Sequence, residues 1–354
     1  MNRALEPEDW RDATRRSPDR LRLVSLRLLV PLVSLAALVC WFGWRPLAQA
    51  IAHASAPALL AYLGLTAVIV CGYALRWRVI ATALGVCPPF VRLLAARLAG
   101  DAVGSLVPSA KLAGEPLRIA MVRDAATPTA QSTAAVAMDR LLEVIGNIIA
   151  VGAYVAVLYA VRSRASAGHM PLALAATTAV VGVALAALLV RLRRGGRPFA
   201  ALYGVRARTL APKLATWMDG VRTVEHHLTT CIREHPRAVI LGVLGSVIIE
   251  TLTVAQYHTL LAAFGVHLGL PTLFLVLLGG GIANAVPVPA GLGALEVAQV
   301  AVVGAASGRP DIGFVVGAII RLHSTLLLAL GLAALALRST SAAGLSLRVL
   351  RANA

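Results

Sequence analysis

Six apolar runs, 28–44, 57–75, 133–161, 171–190, 238–264 and 312–337, set the terms on which this chain can fold. Most approach or exceed the ~20 residues that a helix needs to cross the hydrocarbon of a bilayer. Charged residues make up 14% of the chain, against about a quarter in soluble domains, and the deficit is concentrated in these runs. Backbone in lipid must satisfy its own hydrogen bonds, which favours helices as the spanning element for runs of this length. The expectation is an all-α polytopic membrane protein with six full crossings, a single transmembrane domain over 28–338.

The formal net charge of +17 asks for an anionic partner. Nucleic-acid binding would need basic residues interleaved with aromatics, but aromatics are 5% of the chain and the arginines flank apolar runs. The expected partner is therefore an anionic membrane surface and no nucleic acid. With a cytoplasmic N-terminus, the basic tail 1–27 and the connector 191–237 fall on the cytoplasmic side. So do the residues after the second run (Arg76, Arg78, Arg92, Arg97, Arg118 and Arg123) and the C-terminal end, with its tail 339–354. Only Arg45, Arg162, Arg164 and Arg309 fall outside, while Lys111, Arg140 and Arg321 lie within membrane segments. This asymmetry predicts a bacterial inner-membrane protein with both termini cytoplasmic. Ala48-Gln49-Ala50 has the form of a signal-cleavage site, but Arg45, Pro46 and the long basic lead favour an uncleaved first span. The cysteines, Cys40, Cys71, Cys87 and Cys231, have no metal-type spacing and read as small apolar residues.

The topology holds only if the apolar but Gly- and Pro-broken stretches 91–122 and 273–306 make no net crossing. Each is read as a re-entrant hairpin of short half-helices, a backbone tolerated at membrane depth only when buried in protein or lining a cavity. Shifting the sequence by 181 residues lays Gly100 on Gly281, Pro108 on Pro289, Glu115 on Glu296 and Arg140-Leu141 on Arg321-Leu322. Slightly upstream, Leu84-Gly85-Val86 meets Phe264-Gly265-Val266. The repeat units are about 57–161 and 238–337. Three crossings separate their starts, so they are expected to be inverted, as in secondary transporters whose broken helices meet near the midplane.

The polar residues inside these segments are the candidate site. A charge at membrane depth needs a partner or water, so Glu115 with Arg140 and Glu296 with Arg321 read as two ion pairs, or as the lining of a polar cavity that meets a lipid head group. Asp139, Glu143 and Asn147 recur every four residues on the third span. The kinks Gly104-Ser105-Leu106-Val107-Pro108 and Asn284-Ala285-Val286-Pro287 precede short helices whose N-termini favour an anion. Asp101, Lys111, Glu250, Thr253, Tyr257, His258, His323 and Ser324 are weaker candidates. In the connector, Leu210, Leu214, Trp217, Val221, Val224, Leu228 and Ile232 recur at helical spacing. That pattern fits an amphipathic helix on the membrane surface or a lid packed on the bundle.

Gly114-Glu115-Pro116-Leu117-Arg118 with Asp139-Arg140-Leu141-Leu142-Glu143, and Pro289-Ala290-Gly291-Leu292-Gly293-Ala294-Leu295-Glu296 with Arg321-Leu322, resemble the flippase-like transmembrane domain of lysylphosphatidylglycerol synthases. Stand-alone relatives are associated with hopanoid synthesis and lipid-linked glycan pathways. The resemblance covers roughly 59–337. It implies movement of a lipid or a lipid-linked molecule, and carries functional roles onto Glu115, Arg118, Arg140, Glu296 and Arg321. The first hairpin departs from the pattern, with Lys111-Leu112-Ala113 where a Gly-rich stretch is expected. The synthases' soluble catalytic domain is not expected here, since the sequence stops at Ala354.

The leading expectation is thus a lipid flippase without enzymatic activity or cofactor, with a phospholipid or other lipid as substrate and lipid-synthesis enzymes as partners. No G-x-x-x-x-G-K-[ST] pattern is present, so ATP is not its direct drive. A membrane-embedded transferase acting on a lipid carrier is the alternative. Against it, the outer loop 45–56 holds no Asp or Glu and there is no H-E-x-x-H motif. A scaffold for a lipid-synthesis complex is the third reading.

Overall fold

The computed structural model describes residues 48–49, 51–106, 112–123, 127–161, 169–198, 212–285 and 294–352. The tail 1–27, the first apolar run 28–44, and parts of both kinks (107–111 and 286–293) lie outside the described residues. Among the described residues the regular structure is helical, with no strand. Ten α-helices follow in order: α1 (Ala56–Ala83), α2 (Phe90–Leu106), α3 (Glu115–Val122), α4 (Thr129–Val161), α5 (His169–Arg193), α6 (Pro212–Glu234), α7 (Pro236–Ala263), α8 (Leu270–Ala285), α9 (Ala294–Ser307) and α10 (Pro310–Ala352). A single 3-10 turn, Leu112–Gly114, leads into α3.

Among the described residues, five stretches are long and apolar enough to span a bilayer: Ala56–Ala83, Thr129–Ala160, Ala175–Arg193, Pro236–Ala263 and Asp311–Arg338. They coincide with five of the six expected runs; the sixth is 28–44. Their outward residues are large and apolar, among them Leu60, Val183, Ile240 and Leu337, as expected of surfaces that meet acyl chains. By contrast α3, α8 and α9, with 8, 16 and 14 residues, are shorter than a full crossing requires, and α2, with 17, is at the lower limit.

Helices α1 and α7 begin and end alike. Each has 28 residues and a proline in its first two positions. Each closes on a glycine in the left-handed region, Gly85 (φ 76°) and Gly265 (φ 70°). The Val86 amide bonds back to Ala81 O at 2.8 Å and the Gly85 amide to Thr82 O at 3.0 Å; Val266 to Leu261 O (3.1 Å) and Gly265 to Ala262 O (3.0 Å) repeat the arrangement. This is the Schellman cap, which satisfies terminal carbonyls and needs a residue free to adopt positive φ.

The two capped helices pack along each other, and α4 lies across both. Small residues permit the approach: a Cβ on Gly146 of α4 would stand 2.6 Å from Ser246 Cβ of α7. α10 packs on α2 and α9, and α8 on α9 and α4, the last contact including a Tyr154–Phe274 ring stack at 4.4 Å. The chain folds back tightly between α2 and α3, where Gly114 meets the Gly100 backbone. α6 lies against α4, α5 and α7, and its Val224, Leu228, Cys231 and Ile232 join the cluster around Trp77 and Met138. The apolar residues of its C-terminal half are therefore packed on the bundle, which favours the lid there over a helix lying on lipid.

Candidate functional site

Asp139, a third of the way along α4, is fully buried and stands between three guanidinium groups. Arg76 of α1 approaches Oδ1 at 2.9 Å. Arg97 of α2 and Arg118 of α3 approach Oδ2 at 3.3 and 2.6 Å. One turn further along α4, Glu143 takes Arg97 (3.0 Å) and Arg76 (3.5 Å) on Oε2, and Arg140 (2.8 Å) on Oε1. The edges are closed by Glu115 to Arg118 at 3.0 Å and Asp101 to Arg97 at 2.8 Å. Four carboxylates thus meet four guanidiniums. A buried charge stripped of water costs several kcal/mol unless it is paired and hydrogen-bonded, and this network matches charge for charge.

Aromatic faces and a hydroxyl complete the shell. The Arg118 guanidinium lies 4.2 Å from the Trp77 ring centre and that of Arg97 lies 4.4 Å from Tyr73, so delocalised cations rest on negative ring faces. Arg76 also donates to Ser246 Oγ of α7 at 3.1 Å, and Ser246 in turn donates to Leu142 O at 2.9 Å. Trp77 Nε1 and Arg118 Nε are buried without a hydrogen-bond partner.

One side of the network faces a cavity of about 250 Å³. Its polar wall comprises Thr66 and Tyr73 from α1, Arg97, Asp101 and Ser105 from α2, Glu143 from α4, Gln256 from α7, and His323 and Ser324 from α10. Gln256 Nε2 donates to Thr66 Oγ1 at 2.7 Å. Tyr62 Oη and His323 Nδ1 are 2.7 Å apart, while His323 Nε2 is buried and unpartnered. Nearby, Tyr257 of α7 donates to buried Gln299 of α9.

The expected residues divide accordingly. Asp139, Glu143, Arg140, Arg118 and Glu115 come together: Glu115 is bonded directly to Arg118 and Arg140 to Glu143, and the expected attraction between Glu115 and Arg140 acts at longer range. Asn147 is exposed. Each four-residue step overshoots a helical turn by about 40°, so two steps beyond Asp139 carry it off the network's face. Arg321 is buried on α10; the side chains of Asn284 and Glu296 lie outside the described residues. Among the weaker candidates Asp101, His323 and Ser324 line the cavity, His258 is exposed and Glu250 is half-buried on α7.

Arg76 and Arg97 were missed, having been counted among the cytoplasmic arginines. α1 continues to Ala83, which puts Arg76 inside a spanning helix, and both residues are about 4% exposed. The available signal was local: Arg97 and Asp101 are four apart on one helix, and Arg76 continues an apolar run with Trp77 beside it.

The fold and this network define a polytopic helical membrane protein with a charged, self-paired interior. The chain belongs to the lysylphosphatidylglycerol synthase TM region family, whose model matches residues 24–331. It is also 26% identical over 322 residues to a "UPF0104 membrane protein" of Methanothermobacter thermautotrophicus strain Delta H, covering 88% of this chain and 94% of that relative.

Proposed function

We propose that the protein moves a lipid or lipid-linked molecule between the leaflets, admitting the polar head group to the central cavity while acyl chains stay in the bilayer. The observation that carries this reading is the cavity of about 250 Å³ bordered by α1, α2, α4, α7 and α10, helices from both ends of the chain, in which polar side chains stand among apolar ones such as Ile69 and Leu328. Ligand pockets for whole small molecules run from about 300 Å³ upward, so a space of this size suits a head group and not an entire lipid. His323 Nε2, buried in the cavity wall without a protein partner, supplies a group for that head group to bond.

The alternation of access follows from a two-fold design. α1-α2-α3-α4 and α7-α8-α9-α10 have the same order of long, short, short and long helices, and α1 and α7 share length and cap. In this proposal the two units are inverted, α2–α3 and α8–α9 are re-entrant hairpins, and rocking of one unit against the other opens the cavity to each face in turn. The protein resides in the bacterial inner membrane with both termini cytoplasmic and performs no covalent chemistry; lipid-synthesis enzymes are its partners.

The test is reconstitution into liposomes with a panel of head-group-labelled lipids, following loss of label protection from an impermeant quencher. Asp101→Asn and Ser105→Trp, at the cavity wall, are expected to slow transfer at least tenfold. Equal transfer by wild type and empty liposomes across the panel contradicts the proposal. A covalently altered lipid product would favour the membrane-embedded transferase.

A further inference from the structure

Glu250 is a carboxylate deep in a spanning helix that the charged network does not use. It stands at the midpoint of α7, the span Pro236–Ala263. It lies one turn beyond Ser246 and two turns before Tyr257, both buried, on the side of α7 turned to the bundle, whereas Leu244 and Ile248 face outward. Glu250 itself is half-buried. Among the described residues no hydrogen bond or ion pair reaches it. The four guanidiniums of the network are already matched by Asp101, Glu115, Asp139 and Glu143. A carboxylate in mid-membrane without a counter-ion is costly as the anion and far less so as the neutral acid.

Its surroundings tie it to the cavity. Tyr73 of α1 and Glu143 of α4, both in the cavity wall, are close enough to interact with its charge, as are Arg76 of α1 and Tyr154 of α4. Neither α8, which has no ionisable side chain, nor α6 adds a charge that acts on it. An ionised Glu250 repels Glu143 and draws Arg76 away from Asp139, while a protonated one leaves the network undisturbed. The two protonation states therefore favour different packings of α1 and α4 against α7, and binding that discriminates between two packings shifts their populations. We propose that Glu250 is a proton-binding site that couples lipid movement to the proton gradient. In the state open to the acidic side, a carboxylate oxygen takes a proton from water that has entered the cavity. In the opposite state it returns the proton to water, and no other bond forms or breaks. This rests on the transport reading above and supplies its driving ion.

Two measurements on the full chain test it. Infrared difference spectra in nanodiscs, acid minus alkaline buffer, are expected to show a carboxylic-acid band that Glu250→Gln removes and Thr253→Ala keeps. Spectra identical in wild type and Glu250→Gln overturn the proposal whatever the lipids do. The second measurement uses liposomes that carry head-group-labelled phosphatidylglycerol, phosphatidylethanolamine or phosphatidylcholine, with an imposed pH gradient. The wild type is expected to shift the distribution of a moved lipid between leaflets by up to about tenfold for each pH unit and each proton carried, with the sign reversing when the gradient is reversed. Glu250→Gln is expected to lose this response and Glu250→Asp to retain it in part. Wild-type lipid movement that ignores the gradient overturns the coupling and leaves the transport reading standing. No movement of any of the three lipids in any gradient contradicts the transport reading, and the coupling with it.

Discussion

Arg118, on a helix of only eight residues, places Nη2 2.6 Å from Asp139 Oδ2 of α4 while its guanidinium rests on the ring of Trp77. One side chain thus ties the short α3 to α4 and α1. The same carboxylate holds Arg76 and Arg97, so Asp139 is where four helices are joined.

Removing that carboxylate takes one partner from each of three buried cations and leaves Arg76 and Arg97 to Glu143 and Asp101, and Arg118 to Glu115. Asp139→Ala is expected to lower stability by about 3–5 kcal/mol, the scale for breaking a buried pair, and Asp139→Asn, which keeps the shape but not the charge, by a comparable amount. Thermal unfolding in one detergent, compared with wild type, measures it. Arg118→Lys should lose much of the same stability, because an ammonium cannot serve Glu115 and Asp139 with a planar fork.

The crossing of α2 with the start of α3 depends on two residues without side chains. A Cβ on Gly114 would run into the Gly100 backbone, so Gly114→Ala is expected to displace the turn and lower the yield of folded protein. Gly64 of α1 has nothing within 4 Å of a built Cβ, and Gly64→Ala should change stability by no more than about 0.5–1 kcal/mol. Size-exclusion profiles and unfolding midpoints of the two variants separate the cases.

If the cavity carries the lipid head group as proposed, position on α4 separates residues that affect transfer from those that do not. Asn147 is exposed while Glu143 closes the cavity wall. Asn147→Ala is expected to leave lipid transfer within about twofold of wild type. Glu143→Gln, which frees Arg97 and Arg140 from a shared carboxylate, should reduce transfer by an order of magnitude or more. The liposome assay reads both.

On α6, partial burial and the neighbouring His226 hold the His227 imidazole below its usual range. A histidine that is harder to protonate when folded stabilises the fold above its unfolded pKa of about 6.5, and that contribution falls as pH drops below it. Protection factors along α6, amide exchange corrected for its intrinsic pH dependence, should therefore fall between about pH 7 and pH 5, and His227→Gln should flatten the change.

Much of the fold was legible because long apolar runs and Gly-ended helices leave direct marks: five runs became spans, and Leu84-Gly85-Val86 and Phe264-Gly265-Val266 became matched caps. The carboxylates of the network were legible too, since Asp139 and Glu143 interrupt an apolar span. Their partners were not. Arg76 and Arg97 stand near apolar boundaries, where an arginine reads as a topology signal, and only the packing of α1 and α2 on α4 reveals that they turn inward. Glu115 and Arg140 were paired in the sequence by repeat symmetry, whereas each is satisfied by a closer residue three positions along its own helix.

The proposed transport requires one central cavity to open to each side of the membrane in turn. Ser105 and Ser324 line that space from α2 and α10, so single cysteines at these positions, in a chain with its own four cysteines replaced, can be challenged with an impermeant thiol reagent from either face of oriented vesicles. Both positions labelling from both faces, with saturating substrate lipid slowing the reaction, is the predicted result. Labelling from one face alone under every condition, or from neither, would contradict it.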